Sequence, residues 1–218
     1  MQDELSQYPR PSVTIDCVVF GYDGSKLSIL LLNRRDEPFA NEWTLPGGFL
    51  RIEETFEEAA QRILKDKTGI ENLFLEQLYT FGALMRDPRG RVISVAYYAL
   101  VNPEKYELIV GNMAHELKWF EWQHLPVLGF DHTQIAQLAQ QRLATKIHYQ
   151  PIGFELLNPQ FTMSELQALH ECITGEMLDR RNFHKRMIAS GLLRSTGQRR
   201  EGLKSRPAEL FEFTSYKN

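Results

Sequence analysis

Cysteine is almost absent from this chain of 218 residues, which has only Cys17 and Cys172, far apart in sequence. One sits in a strand-like and one in a helix-like setting, so they read as reduced core thiols rather than as a disulfide or a metal pair. Long apolar runs are missing too, and none approaches the ~20 residues that a membrane helix needs. Met1-Gln2-Asp3-Glu4 lacks the basic-then-apolar pattern of a secretory leader, so a cytoplasmic setting is expected. His115, His124, His132, His148, His170 and His184 show no metal-ligand spacing. No internal repeat or low-complexity tract is present. What remains has the composition of a globular protein, long enough for one large or two modest domains.

The net charge of −3 hides an asymmetry. Residues 1–149 carry 15 Lys and Arg against 20 Asp and Glu, whereas residues 150–218 carry 10 against 8. Nine basic residues and one acid fall within 180–206. A basic cluster on an acidic chain points to a localised polyanion contact, and it equally suits a solvated face.

Val13 to Phe20 is rich in β-branched residues and reads as a buried strand. Asp23-Gly24 then signals a hairpin, with Leu27 to Leu32 as the return strand. A loop rich in Pro and Gly follows, from Trp43 to Phe49. Phe56, Ala59, Ala60, Ile63 and Leu64 are spaced as one helical face within 54–68, and Gly69 is placed to end that helix in the left-handed conformation. Strands are expected over 73–85, 92–101 and 118–122, and an amphipathic helix over 131–146. Tyr149-Gln150-Pro151-Ile152-Gly153 breaks the pattern, giving domains 1–150 and 151–218.

In the second unit Thr162-x-x-Glu165 is a capping box opening a helix that Gly175 ends. Asp179 caps a second helix, from Arg180 to about Ser190. A ribbon of Leu192 onward paired with Leu210-Phe211-Glu212-Phe213 completes the order of a winged helix-turn-helix. Phe183 and Met187 belong to the core face of the second helix, and Arg181 and Lys185 project from the opposite face. Arg180, Arg181, Asn182, Lys185 and Arg186 are therefore candidates for DNA contacts, with Arg suited to guanine and Asn to adenine at major-groove edges. Arg199, Arg200, Lys204 and Arg206 on the wing suit phosphates or a minor groove. The alternative is a small helical cap whose basic residues serve solubility.

Gly48, Glu54, Arg62, Leu64, Gly69 and Ile70, with the preceding Trp43-x-Leu45-Pro46-Gly47, resemble the Nudix box. That resemblance implies an α+β fold, a Nudix-like α/β/α sandwich with a mixed sheet, here followed by the winged helix-turn-helix. It also implies a relation to enzymes that hydrolyse nucleoside diphosphates linked to another group, using divalent metal held by helix glutamates. At those glutamate positions this chain reads Ile63, Asp66 and Lys67. Ile63 offers no ligand and Lys67 adds a cation, so no metal site, no required cofactor and no catalytic residues are expected. A retained pocket would bind its ligand with Arg34, Arg35, Phe39, Trp43, Gly48, Glu54, Arg86 and Tyr97 as candidates, arginines for phosphate and aromatic rings for stacking. Core packing also accounts for Trp43, and an exposed strand end for Arg35.

With Phe130-Asp131-His132, Asp179-Arg180-Arg181-Asn182-Phe183 and Arg206-Pro207-Ala208-Glu209-Leu210, nearly the whole chain is similar to Nudix-related transcriptional regulators of the NrtR type. Such proteins are homodimeric repressors on palindromic double-stranded DNA operators of NAD-biosynthesis genes, and they respond to ADP-ribose. A sister group, the AraR type, answers to arabinose and controls sugar-use genes; the stretches Gly82–Pro88 and Tyr97–Leu100 resemble it. The rival expectation is an active Nudix hydrolase, an ADP-ribose pyrophosphatase with an accessory C-terminal domain.

Overall fold

Nine consecutive buried residues, Thr14 to Tyr22, place the first strand at the centre of a sheet covered on both faces. In the computed structural model, which describes residues 7–150, 152, 156–200 and 207–214, the first unit runs as follows. Strands β1 (Ser12–Tyr22), β2 (Leu27–Arg34), β3 (Trp43–Thr44) and β4 (Gly47–Phe49) lead into helix α1 (Phe56–Thr68). Then come β5 (Glu76–Phe81), β6 (Val92–Val101), β7 (Ala114–Glu121) and helix α2 (His132–Lys146). The sheet order is β3-β2-β1-β6-β5, with β4 also paired to β1 and β7 to β2. Only the β1–β6 pairing is parallel among these, so the sheet is mixed.

The two-residue period of β1 divides its side chains between two layers. Ile15, Cys17 and Val19 meet Ala59, Ala60, Ile63 and Leu64 of α1. Val18, Phe20 and Tyr22 join Ile135, Ala139 and Leu143 of α2. Helix α1 begins at Thr55, whose hydroxyl accepts from the Glu58 N–H while the Glu58 carboxylate accepts from the Thr55 N–H. It ends at Gly69, where φ is 76°. The strand expected over 73–85 covers only 76–81. Leu84 and Met85 are exposed in a turn that then carries Arg86 and Asp87 back inward. The strand expected at 118–122 starts earlier, at Ala114, because β7 pairs with β2 as far as Arg34.

The second unit contains β8 (Phe161–Thr162), α3 (Met163–Thr174), α4 (Arg180–Ala189), β9 (Leu193–Arg200) and β10 (Ala208–Phe213). Its three strands lie in the order β8-β10-β9, a winged helix-turn-helix. The expected division at 150/151 falls beside residues 151 and 153–155, which lie outside the described set. Leu166, Leu169, Ile173, Phe183 and Met187 belong to the same apolar cluster as Leu143 and Phe20, so the winged unit packs on the α2 side of the sandwich. Across this contact Gln140 Nε2 donates to the Ile173 carbonyl at 2.9 Å.

His170 of α3 is buried at this centre, edge-on to the Phe183 ring at 4.9 Å and 6.5 Å from the His148 ring. Burial, then Arg186 and His148, push its pKa down to about 4, so the folded chain holds it neutral. The unfolded chain binds the extra proton at higher pH, so this contribution is present above the ordinary histidine range and is lost as pH falls toward 4. Acidifying from pH 7 to 4.5 is expected to remove about 2–3 kcal/mol through this residue. Chemical denaturation of unmodified and His170→Phe protein at both pH values measures it, and the variant should lose less on acidification.

Candidate functional site

Between the β3–α1 loop, the end of α1, the β5–β6 turn and the start of α2 lies a cavity of about 530 Å³. Its base is a buried polar network. Arg86 Nε and Nη2 donate to Asp131 Oδ2 and Oδ1 at 2.9 and 2.7 Å, and Nη2 also reaches Asp16 Oδ2 at 3.2 Å. Ser94 Oγ donates to Asp16 Oδ2 at 2.5 Å. His132 Nδ1 accepts from the Leu45 N–H at 3.0 Å, which leaves the proton on Nε2, 3.5 Å from Asp16 Oδ1. Burial holds the His132 pKa below its ordinary value, in keeping with this neutral tautomer. Gly47 is needed here, since a Cβ at that position would stand 2.1 Å from Asp16 Oδ1.

The walls are cationic. Six basic side chains (Arg34, Arg51, Arg62, Lys67, Arg86 and Arg89) and three carboxylates (Asp16, Asp66 and Asp87) line the cavity. Arg62 is paired bidentately with Glu54, at 2.6 and 2.7 Å, and donates to the Phe49 carbonyl. That contact holds the Glu54 carboxyl down at about 2. Arg89 is paired with Asp87. Arg34 donates to the Pro38 and Asp36 carbonyls, and among the described residues it has no carboxylate partner. The Arg34 and Arg89 guanidiniums both lie over the Phe130 ring, at 5.2 and 5.8 Å from its centroid.

A divalent ion needs several oxygen ligands. Of the α1 positions in question, Ile63 is buried against Gly48, where a Cβ would meet it at 3.2 Å, and Lys67 presents an ammonium. Glu54 is engaged by Arg62, Glu57 accepts from the Tyr97 hydroxyl at 2.9 Å, and Glu58 closes the helix cap. The donors present do not fit such an ion. Among the described residues no group of three or more His, Cys, Asp or Glu is placed to hold a metal.

Helix α4 provides a second charged surface. Phe183 and Met187 are buried, while Arg180, Arg181, Asn182, Lys185 and Arg186 are exposed, and Asp179 caps the helix by accepting from the Asn182 N–H at 2.9 Å. On the wing, Arg199 is exposed. Arg200 pairs with Glu165 at 2.6 Å and donates to the Gln160 carbonyl, tying β9 to the start of α3. Lys204 and Arg206 lie outside the described residues.

A family model of the NUDIX domain matches residues 10–141, and one of the NrtR DNA-binding winged helix domain matches residues 153–213. The ADPR responsive transcriptional repressor NtrR of Acinetobacter baylyi is 38% identical over 97% of this chain and 86% of its own length. This chain belongs to the NrtR family of Nudix-related regulators. Among solved structures, a MutT/nudix family protein from Enterococcus faecalis superimposes with TM-score 0.84 at 30% identity, covering 98% of this chain and 90% of that one. NrtR of Shewanella oneidensis does so with TM-score 0.78 at 35% identity, covering 93% and 94%. The Shewanella protein has also been solved with a 27mer DNA (TM-score 0.76, 33% identity, 93% of each chain). Its NUDIX domain has been solved with ADP ribose (TM-score 0.59, 32% identity, 65% of this chain and 94% of that one).

Within this NrtR-type frame the expected ligand residues divide. Arg34, Gly48 and Arg86 line the cavity. The other five are not among its lining residues. Arg35 is exposed and turns toward the Ala114 carbonyl. Phe39 packs on Phe130 with ring centroids 4.5 Å apart, behind the wall. Trp43 is edge-on to Phe120 at 4.7 Å. Glu54 acts through Arg62, and Tyr97 lies in the α1 layer because the parity of β6 turns it there. Arg51, Lys67, Arg89, Asp16 and His132 line the cavity without having been singled out as ligand residues. For Asp16 a signal existed, since a lone carboxylate amid an apolar central strand demands a partner.

Proposed function

We propose that the protein is a DNA-binding repressor whose residues 1–150 bind ADP-ribose without cleaving it and whose residues 151–218 grip a palindromic operator as a homodimer in the cytoplasm. The observation that carries this reading is the excess of cations around the cavity, with Arg34, Arg51 and Lys67 lacking carboxylate partners among the described residues. Guanidinium and ammonium groups suit a diphosphate. A neutral pentose such as arabinose would leave them unpaired. Phe130 and Phe49 supply apolar surface for the rest of a nucleotide. The exposed basic face of α4 supplies the operator contacts. The names of the Acinetobacter and Shewanella relatives point the same way, and genes of NAD metabolism are the natural target of a sensor of an NAD breakdown product.

Ligand binding would change the spacing of the two recognition helices, so that they no longer match half-sites about one helical turn apart. ADP-ribose can shift operator affinity only by its differential affinity for the two arrangements. Isothermal titration is expected to give saturable binding of ADP-ribose and none of L-arabinose. Chromatography of the same mixture with magnesium should recover ADP-ribose intact. Metal-dependent release of AMP would favour a hydrolase instead.

A further inference from the structure

The geometry points to Lys67 as a built-in substitute for a divalent ion: its ammonium, beside Arg34, contacts the diphosphate directly, so effector binding needs no metal. This rests on the reading of the cavity as an ADP-ribose site. Lys67 belongs to the last turn of α1, is half-buried and lines the cavity. Among the described residues its ammonium makes no hydrogen bond or ion pair. The nearby charges of either sign are Arg34, Asp36, Asp66 and Arg62. Asp66 is drawn toward Arg62, at 3.9 Å, and Arg62 is already neutralised by Glu54. Burial first, and then Arg34, hold the Lys67 pKa below the ordinary lysine value. A solvated lysine would escape both effects; this one faces the cavity as an unpaired cation, which an anion would relieve.

The backbone under Lys67 is held firmly. Ile109 N–H donates to the Thr68 carbonyl at 2.9 Å and Gly111 N–H to the Lys67 carbonyl at 3.4 Å. Gly111 approaches so closely that a Cβ there would lie 2.3 Å from the Asp66 carbonyl oxygen. The 109–113 segment thereby fixes the end of α1 while Asn112 and Met113 complete the cavity wall beside Lys67. The neighbouring Ile63 is apolar, so the ammonium is the charged group that α1 offers at this end apart from Asp66 and the paired Arg62. A fixed cation replaces a diffusible one, and the oxygen donors a metal would require become unnecessary.

The test is calorimetric titration of the full chain with ADP-ribose, in EDTA and in magnesium, for the unmodified protein, Lys67→Arg, Lys67→Met and Lys67→Glu. The expected dissociation constants for the unmodified protein agree within twofold between the two buffers. Lys67→Arg stays within about threefold of it, Lys67→Met weakens at least tenfold in both buffers, and Lys67→Glu weakens more in EDTA and partly recovers with magnesium. A cooperative thermal transition of each free variant establishes that it is folded. Tenfold weaker binding by the unmodified chain in EDTA, or unaltered binding by folded Lys67→Met, overturns this assignment alone. No binding of ADP-ribose by the unmodified chain in either buffer overturns the reading of the cavity with it.

Discussion

Replacing Arg86 with Leu is expected to lower folding stability by about 3–5 kcal/mol, the cost of leaving a buried charge without its partner. The Arg86 side chain is 3% exposed and spans two carboxylates, Asp16 at 6% and Asp131 at 11%. Leucine fills much of the volume but leaves Asp16, among the described residues, with the Ser94 hydroxyl and neutral His132. Neither compensates a full negative charge in the middle of the central strand. The charge itself is the cause, so Asp16→Asn placed in the Arg86→Leu background should recover part of the loss, a coupling that urea denaturation of the four proteins in a double-mutant cycle measures. Additive losses from the two substitutions would show that the network does not hold the cavity together. Because Arg86 and Asp16 both line the cavity, ADP-ribose affinity should fall with the first substitution as well.

The second large effect concerns DNA. The double substitution Arg181→Ala, Lys185→Ala removes two exposed side chains from α4 and leaves Phe183 and Met187 in the core, so stability should change little. A bidentate arginine–base contact contributes about 1–3 kcal/mol. Two copies on a palindrome make that about 2–6 kcal/mol, at least thirtyfold in affinity. Lys185 is expected to act on phosphate, so its loss alone should reduce the slope of log affinity against log salt by about one per copy. Mobility shifts on a duplex selected from a random pool, at several salt concentrations, read both effects. Unchanged affinity in the double variant would remove α4 from the recognition role.

The sequence made the scaffold legible because its signals are local. The apolar run of β1, the capping residues Thr55, Thr162 and Asp179, and the left-handed Gly69 and Gly175 each report on neighbours within four residues. The cavity was legible only in part, because its contacts are long-range. Arg86 meets Asp131 across 45 residues and Asp16 across 70, and His132 meets Leu45 across 87. Aromatic residues near the loop were weighed by type, but their direction depends on strand parity and on what fills the other side. Tyr97 and Tyr98 are adjacent and point to opposite layers, and Trp43 found Phe120 before any ligand. Ile63 and Lys67, read on a helix of known face, do line the cavity, and neither side chain offers an oxygen donor.

The most direct measurement adds ADP-ribose and magnesium to the protein–duplex complex and follows DNA release and nucleotide composition in the same sample. Release of the duplex with ADP-ribose recovered unchanged is the predicted result. Accumulation of AMP while the duplex stays bound would contradict it.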